Sequence, residues 1–273
     1  MSNAENIISF DYDDEIRLFN ERNPELMRLF PMLNEAIDQT LVQVKHQTSD
    51  RVAVSVHMLV RLATRHCEAL LHLAMCGHGF SAVRTLRSMF EKTVDAAYLS
   101  KNLNEIEDFW DYGLFALQER GVEMPVSEEE FAERTKRFFG PKGGRRPRWS
   151  TLSTDQKAES VGVGTMRFHG YKLANPFIHS SALEIVDSFY TEADNTISPA
   201  SGSTETERRW ADMAAMAGVS IMAVGLETLV DHFKLKKPAA FDLFYNPYIE
   251  HLKEVGRQRH ESPSTSNLSQ KAR

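Results

Sequence analysis

The residues with the most chemistry to offer lie close together: Arg84, Arg87, Glu91, Asp95 and Tyr98. Their spacing puts them on one stripe of a helix, beside an apolar stripe of Val83, Leu86, Phe90, Val94 and Ala97. Two guanidinium groups and a carboxylate bordering a core-facing surface suit an anion. Arginine holds phosphate in a bidentate grip, and a carboxylate beside it can act as a base. The same spacing also makes Arg87–Glu91 an ordinary i,i+4 ion pair, worth about a few tenths of a kcal/mol at a surface.

A second polar stripe runs through His57, Arg61, Thr64, Glu68 and His72. If the two helices form an antiparallel hairpin, the stripes face each other across a cleft, and buried charges there must pair. His179, in Asn175-Pro176-Phe177-Ile178-His179-Ser180-Ser181, falls in the first turns of a helix that proline opens. Its imidazole is either a hydrogen-bonded core group or a general acid/base, since an unperturbed pKa of about 6.5 suits proton transfer.

Other chemistries find little support. His66, His72, His78, Cys67 and Cys76 cluster in sequence, but no His-Glu-x-x-His or Cys-x-x-Cys occurs. No metal site is assigned, and no motif names a cofactor. Phosphate-loop, dinucleotide and Gly-x-Ser-x-Gly patterns are missing as well. Arg61…His66 and Arg51…His57 match the short arginine–histidine spacing of helical ribonucleases, yet five residues turn a helix by about 140°, so Arg61 and His66 diverge.

The elements that must position these groups are helical nearly throughout. Asn23-Pro24 opens a segment to about His46, with a break or kink expected at Pro31. A long helix is expected over Ser49–Cys76, stopping at Gly77-His78-Gly79. Further helices run from Ser81 to about Lys101, from Asn102 or Asn104 to Gly121, and from a capping box at Ser127-Glu128-Glu129-Glu130 to Phe139. Short helices are expected near Thr154–Val161 and Pro176–Tyr190. Asp194–Thr206 reads as a linker, Thr206–Leu235 as a long apolar helix, and the stretch between Pro238 and Pro247 as a last short helical piece. No repeat and no convincing hairpin stands out.

Between Arg134 and Arg148, Lys136, Arg137, Lys142, Arg145 and Arg146 alternate with glycines and prolines. This reads as a mobile basic loop. It is either solvated punctuation, a lid over the helical site, or a phosphate contact with Phe138, Phe139 and Trp149 available for stacking. The fold class is all-α: a multi-helix bundle with a basic Gly/Pro-rich loop, one domain over 1–255 and a disordered tail over 256–273.

Composition bounds the rest. The chain has 273 residues, 42% hydrophobic and 26% charged, an ordinary globular balance that can bury a sizeable core. Lys+Arg 32 against Asp+Glu 38 gives a formal charge of −6, so no whole-chain field draws nucleic acid or anionic membrane. Two cysteines exclude a disulfide framework. No apolar run reaches the roughly 18 residues of a spanning helix, and the N-terminus is acidic rather than signal-like. The expectation is a cytoplasmic chain with no membrane partner.

The segment Ala82-Val83-Arg84-Thr85-Leu86-Arg87-Ser88-Met89-Phe90-Glu91, after the turn Gly77-His78-Gly79-Phe80, resembles the Leu-Arg-Ser-x-x-Glu block of a bacterial helical family catalogued as domain of unknown function 5677. A second block matches at Trp149, Lys157-Ala158-Glu159, Gly162, Tyr171 and Ile178-His179-Ser180. Asn175 departs from the family's serine. The resemblance spans about residues 50–190 and carries no activity with it. What it implies is that Arg87, Glu91 and His179 meet in one pocket.

Two functions follow as expectations. In the first, a hydrolase or ribonuclease-like enzyme of bacterial defence or toxin biology acts on a phosphate-bearing ligand or RNA. Arg84 and Arg87, with Arg61 and Tyr98, bind the substrate; Glu91 serves as base or orienter, and His179 as general acid/base. In the second, a non-catalytic scaffold or binding module uses the same residues as a buried ion-pair network. The apolar stretch 210–230 then offers a homodimer interface.

Overall fold

A computed structural model describes residues 12–45, 47, 50–166, 172, 189–191, 197–199 and 203–261. The chain is an all-α multi-helix bundle. Helices α1 (Tyr12–Arg22), α2 (Pro24–Val44), α3 (Arg51–Met75), α4 (Gly79–Lys101), α5 (Ile106–Glu119), α6 (Glu128–Thr135), α7 (Thr154–Ser160), α8 (Glu205–Phe233) and α9 (Ala239–Glu261) follow in order. Phe189–Thr191 (β1) pairs antiparallel with Ile197–Pro199 (β2). That small hairpin corrects the expectation of a helix reaching Tyr190 and of a structureless linker after it. The stretch 173–188, including His179, lies outside the described residues.

The α3–α4 hairpin is the centre of the fold. Asp50 caps α3 by accepting from the Ala53 N–H at 2.8 Å. Gly77, at φ 80°, makes the reversal that a side chain would strain. The interface is apolar: Val56, Val60, Ala63, Cys67 and Leu70 of α3 and Leu86, Met89, Phe90 and Val94 of α4 are all buried. Burial pushes the Cys67 thiol up to about 12, so it stays protonated in this packing.

Helix α8 lies against both members of the hairpin. It passes the length and composition test for crossing a membrane, with mean hydropathy 1.8 over an 18-residue window, which corrects the expectation that no such run exists. In this fold 61% of that window is buried inside the chain. A helix apolar on every side is what a core position requires.

Small residues let it approach closely. A Cβ added at Gly79 would meet the Glu207 carbonyl oxygen at 1.9 Å and the Ala211 nitrogen at 2.7 Å. Because both are backbone atoms, no rotamer change relieves the clash. Gly79→Ala should therefore cost about 1–3 kcal/mol, measured as a lowered midpoint in urea with an unchanged slope.

Two prolines sit inside helices without ending them. Pro31 lies within α2 and Pro247 within α9, so neither the expected break nor the expected short piece is present. Each forfeits one helix hydrogen bond. The buried row Leu26, Leu29, Leu33, Ala36 and Ile37 on α2 outweighs that loss, as do Phe241, Phe244 and Tyr248 on α9. Helix α9 also continues past Gly256 to Glu261, where a disordered tail was expected; residues 262–273 lie outside the described set.

Polar ties hold the remaining helices in place. Asp212 of α8 accepts from Arg22 at 3.0 and 3.1 Å and from Asn23 at 2.7 Å, while Arg208 donates to Glu15 at 2.9 and 2.6 Å. Asn23 stands at the N-cap of α2 before Pro24, and its side-chain amide donates to the Phe19 carbonyl and Asp212.

Candidate functional site

The α4 stripe forms, but its members turn to partners within the chain. Arg87 Nε donates to Glu91 Oε1 at 3.0 Å, with side-chain exposures of 26% and 39%. One turn on, Asp95 pairs with the ammonium of Lys157, which stands on α7 and is only 3% exposed. Trp149 Nε1 also reaches Asp95, at 3.4 Å, and the Lys157 ammonium lies 4.5 Å from the Trp149 ring centroid. Tyr98, almost fully buried, donates its hydroxyl to Glu105 at 2.5 Å, and Ser150 donates to the other oxygen of the same carboxylate at 3.2 Å.

Electrostatics follow from this burial. Desolvation pushes the Asp95 carboxyl above its usual range; the Lys157 charge and the hydrogen bonds from Lys157 and Trp149 oppose the shift, and the nearby Glu91 charge adds to it. Burial, reinforced by the Glu105 carboxylate, drives Tyr98 up to about 12. Neither group is left as an open acid or base facing solvent. They form a closed set of donors and acceptors that holds the 149–160 segment against α4.

Other expected members are dispersed. Arg84 is exposed on α4 and Arg61 is exposed on α3; among the described residues no hydrogen bond or ion pair joins Arg61 to the α4 stripe. The buried α3–α4 interface is apolar, and the α3 stripe lies mostly on exposed surface. Glu68 and His72 are exposed, and Thr64 is buried with its hydroxyl on the Val60 carbonyl at 3.1 Å. Burial and the adjacent Arg61 charge lower the pKa of His57; burial and Lys92 do the same for His66. Among the described residues no group of three or more His, Cys, Asp or Glu is placed to hold a metal ion.

The basic segment is tied to α5 on both sides of its exposed Gly140–Gly144 tip. Asp111 of α5, 4% exposed, accepts from Arg134 at 2.8 and 2.5 Å and from Arg137 at 2.7 Å. Asp108, one turn earlier, accepts from Arg137 at 2.6 Å and Arg146 at 3.0 Å. The Arg137 and Arg146 guanidiniums lie 4.9 and 4.5 Å from the Phe138 ring centroid. Arg145 reaches Glu119 at 2.7 Å. Of the aromatic residues expected to stack on bases, Phe138 and Trp149 are buried and only Phe139 is exposed. Arg146 also donates to the Trp149 carbonyl at 2.5 Å, which links the loop directly to the Asp95 cluster.

One family model matches residues 52–197, more than half of the 273-residue chain. The chain belongs to the family of unknown function DUF5677. No curated protein and no solved structure gives a significant match. The DUF5677 region takes in both clusters, so the two sequence blocks joined by resemblance are also joined physically. Arg87 and Glu91 come from the first block, Asp95 stands one turn beyond it on the same helix, and Trp149 and Lys157, which meet Asp95, come from the second. Helical spacing puts Asp95 on the stripe but gives it no partner. Lys157 carried a signal only in the resemblance, and Asp108 and Asp111 carried none beyond being acidic residues three apart.

Proposed function

We propose that this DUF5677 chain is a non-catalytic helical scaffold or binding module. In this reading the polar residues of α4 fix the register of the bundle and dock the 134–160 segment onto it. The observation that carries it is the Asp95–Lys157 pair, whose lysine is 3% exposed: the least exposed charge of the stripe is spent on a buried ammonium of α7. Arg87 and Glu91, being half-exposed neighbours on one helix, supply much less stability than a buried pair. Val219, Ile221, Met222, Leu226 and Leu229 of α8 are buried within the chain, which leaves the partly buried Trp210, Met213, Met216 and Val224 for a homodimer to use.

A second reading rests on exposure. Arg84, Arg87 and Glu91 keep contact with solvent on one face of α4, where a phosphate-bearing ligand or RNA has access. There the guanidiniums would neutralise phosphate, and Glu91 with His179 would move the proton. Purified full-length protein incubated with RNA pools and nucleotides, beside Arg87→Ala and His179→Ala, separates the two. The scaffold reading expects no turnover in any of the three. Turnover by the unmodified chain that both substitutions abolish would replace it with the hydrolase.

A further inference from the structure

A cavity of about 120 Å³ opens between the C-terminal end of α4, the segment after α7, and α8. Its walls carry Val161, Val163 and Val224, with Lys101 on the α4 side and Glu227 and Asp231 one turn apart on α8. The charges do not neutralise each other. Lys101 donates to the Val161 carbonyl at 3.1 Å, and no ion pair with Glu227 or Asp231 forms among the described residues. Two acceptor groups and one donor group therefore line a single cavity without pairing across it.

The hydroxyls sharpen the choice of ligand. Ser100 gives its proton to the Ala97 carbonyl at 2.8 Å, and Thr228 gives its own to Val224 at 2.9 Å. Both can then offer the cavity only lone pairs. The α8 side is thus rich in acceptors and negative charge, and the α4 side holds an ammonium with donors to spare. A guest that satisfies both carries a cationic donor at one end and an anion at the other, joined by a short aliphatic stem. For scale, an engineered apolar cavity of about 150 Å³ holds benzene, so a guest of about six heavy atoms fits.

We propose that this cavity binds a small amino acid zwitterion, its ammonium on Glu227 and Asp231, its carboxylate on Lys101, and its carbon stem among the valines. The site is separate from the α4 stripe and does not rest on the scaffold reading. Burying a carboxylate in this wall carries a cost. Burial raises the Glu227 pKa above its ordinary value of 4.5; Lys237 opposes the rise, and the Asp231 charge adds to it. A carboxyl whose folded pKa is raised takes up more protons than the unfolded chain does, so stability falls as pH climbs from 4.5 toward the folded value. Glu227→Gln removes that loss.

The experiment is titration calorimetry on the full chain with alanine and β-alanine, set against propylamine and propionate as half-ligands, plus thermal melts of Glu227→Gln and Lys101→Met. One of the zwitterions should bind at least about 10-fold more tightly than either half-ligand, and each substitution should weaken it by about 10- to 100-fold. Ligand-free Glu227→Gln should melt higher than the unmodified chain at pH 7, with the gain vanishing below about pH 4. Absence of zwitterion binding at millimolar concentration overturns the proposal. So does equal binding of a half-ligand, or a Glu227→Gln chain that melts lower at pH 7, since that marks the carboxylate as structural.

Discussion

Lys157→Met should destabilise the chain by about 3–5 kcal/mol, the cost of leaving a buried charge without its partner. The substitution keeps the length and apolar stem of the side chain, so packing against Trp149 is largely preserved and the lost ammonium dominates. Asp95 is then held by the Trp149 N–H alone among its former partners, in surroundings that already push its pKa up. The sign of the pH dependence follows. Without Lys157 the folded Asp95 pKa rises further above the 3.8 of a free aspartate, so the variant's deficit grows as pH increases above that value. Below it, Asp95 is protonated in both states and the deficit shrinks. Urea unfolding of variant and parent at pH 3.5 and pH 7 reads both effects; a deficit that is the same at the two values would mean that Asp95 is not the stranded group.

Asp111→Ala is the second large effect, at about 3 kcal/mol, because one buried carboxylate takes three charge-assisted hydrogen bonds from two arginines. Its consequence should be local as well as global. Arg134 loses its bonds to α5, Arg137 keeps Asp108 as its one α5 partner beside the Arg134 carbonyl, and the 134–148 segment loosens from the bundle. Trypsin, which cuts after lysine and arginine, should cleave this segment at least about 10-fold faster in the variant at a temperature where both chains are folded. Equal cleavage rates would show that the arginines hold the loop through other contacts. A large loss of stability with no gain in cleavage would place the role of Asp111 within α5.

The helices were legible because their signals are local. Apolar spacing in α3, α4 and α8, the Asp50 and Ser127 caps, and glycine at 77 and 121 each act within a few residues. The prolines misled for the complementary reason. A local rule says that Pro31 and Pro247 break helices, and only long-range packing of α2 and α9 overrides it. The basic segment shows the same limit. Its glycines and prolines look mobile in isolation, while the two aspartates that pin it lie some 30 residues away on a different helix.

The candidate site was half legible. Helical spacing supplied the Arg87–Glu91 contact, which is determined inside one helix. It could not supply Lys157 for Asp95, since 62 residues separate them and the pairing depends on how α7 docks. A stripe of arginine and carboxylate therefore read as a phosphate site when half of it was facing partners that spacing cannot reveal. Arg61 shows the same limit from the other side: it shares a periodic stripe on α3, but the hairpin buries the opposite face of that helix.

The double-mutant cycle of Asp95→Asn and Lys157→Met most directly tests whether the charged stripe of α4 is internal structure. If the pair is the lock between α7 and α4, each single substitution costs several kcal/mol and the double costs far less than their sum, a coupling of about 2–3 kcal/mol. A coupling under about 0.5 kcal/mol, with singles that simply add, would contradict it and return both charges to the list of groups available to a substrate.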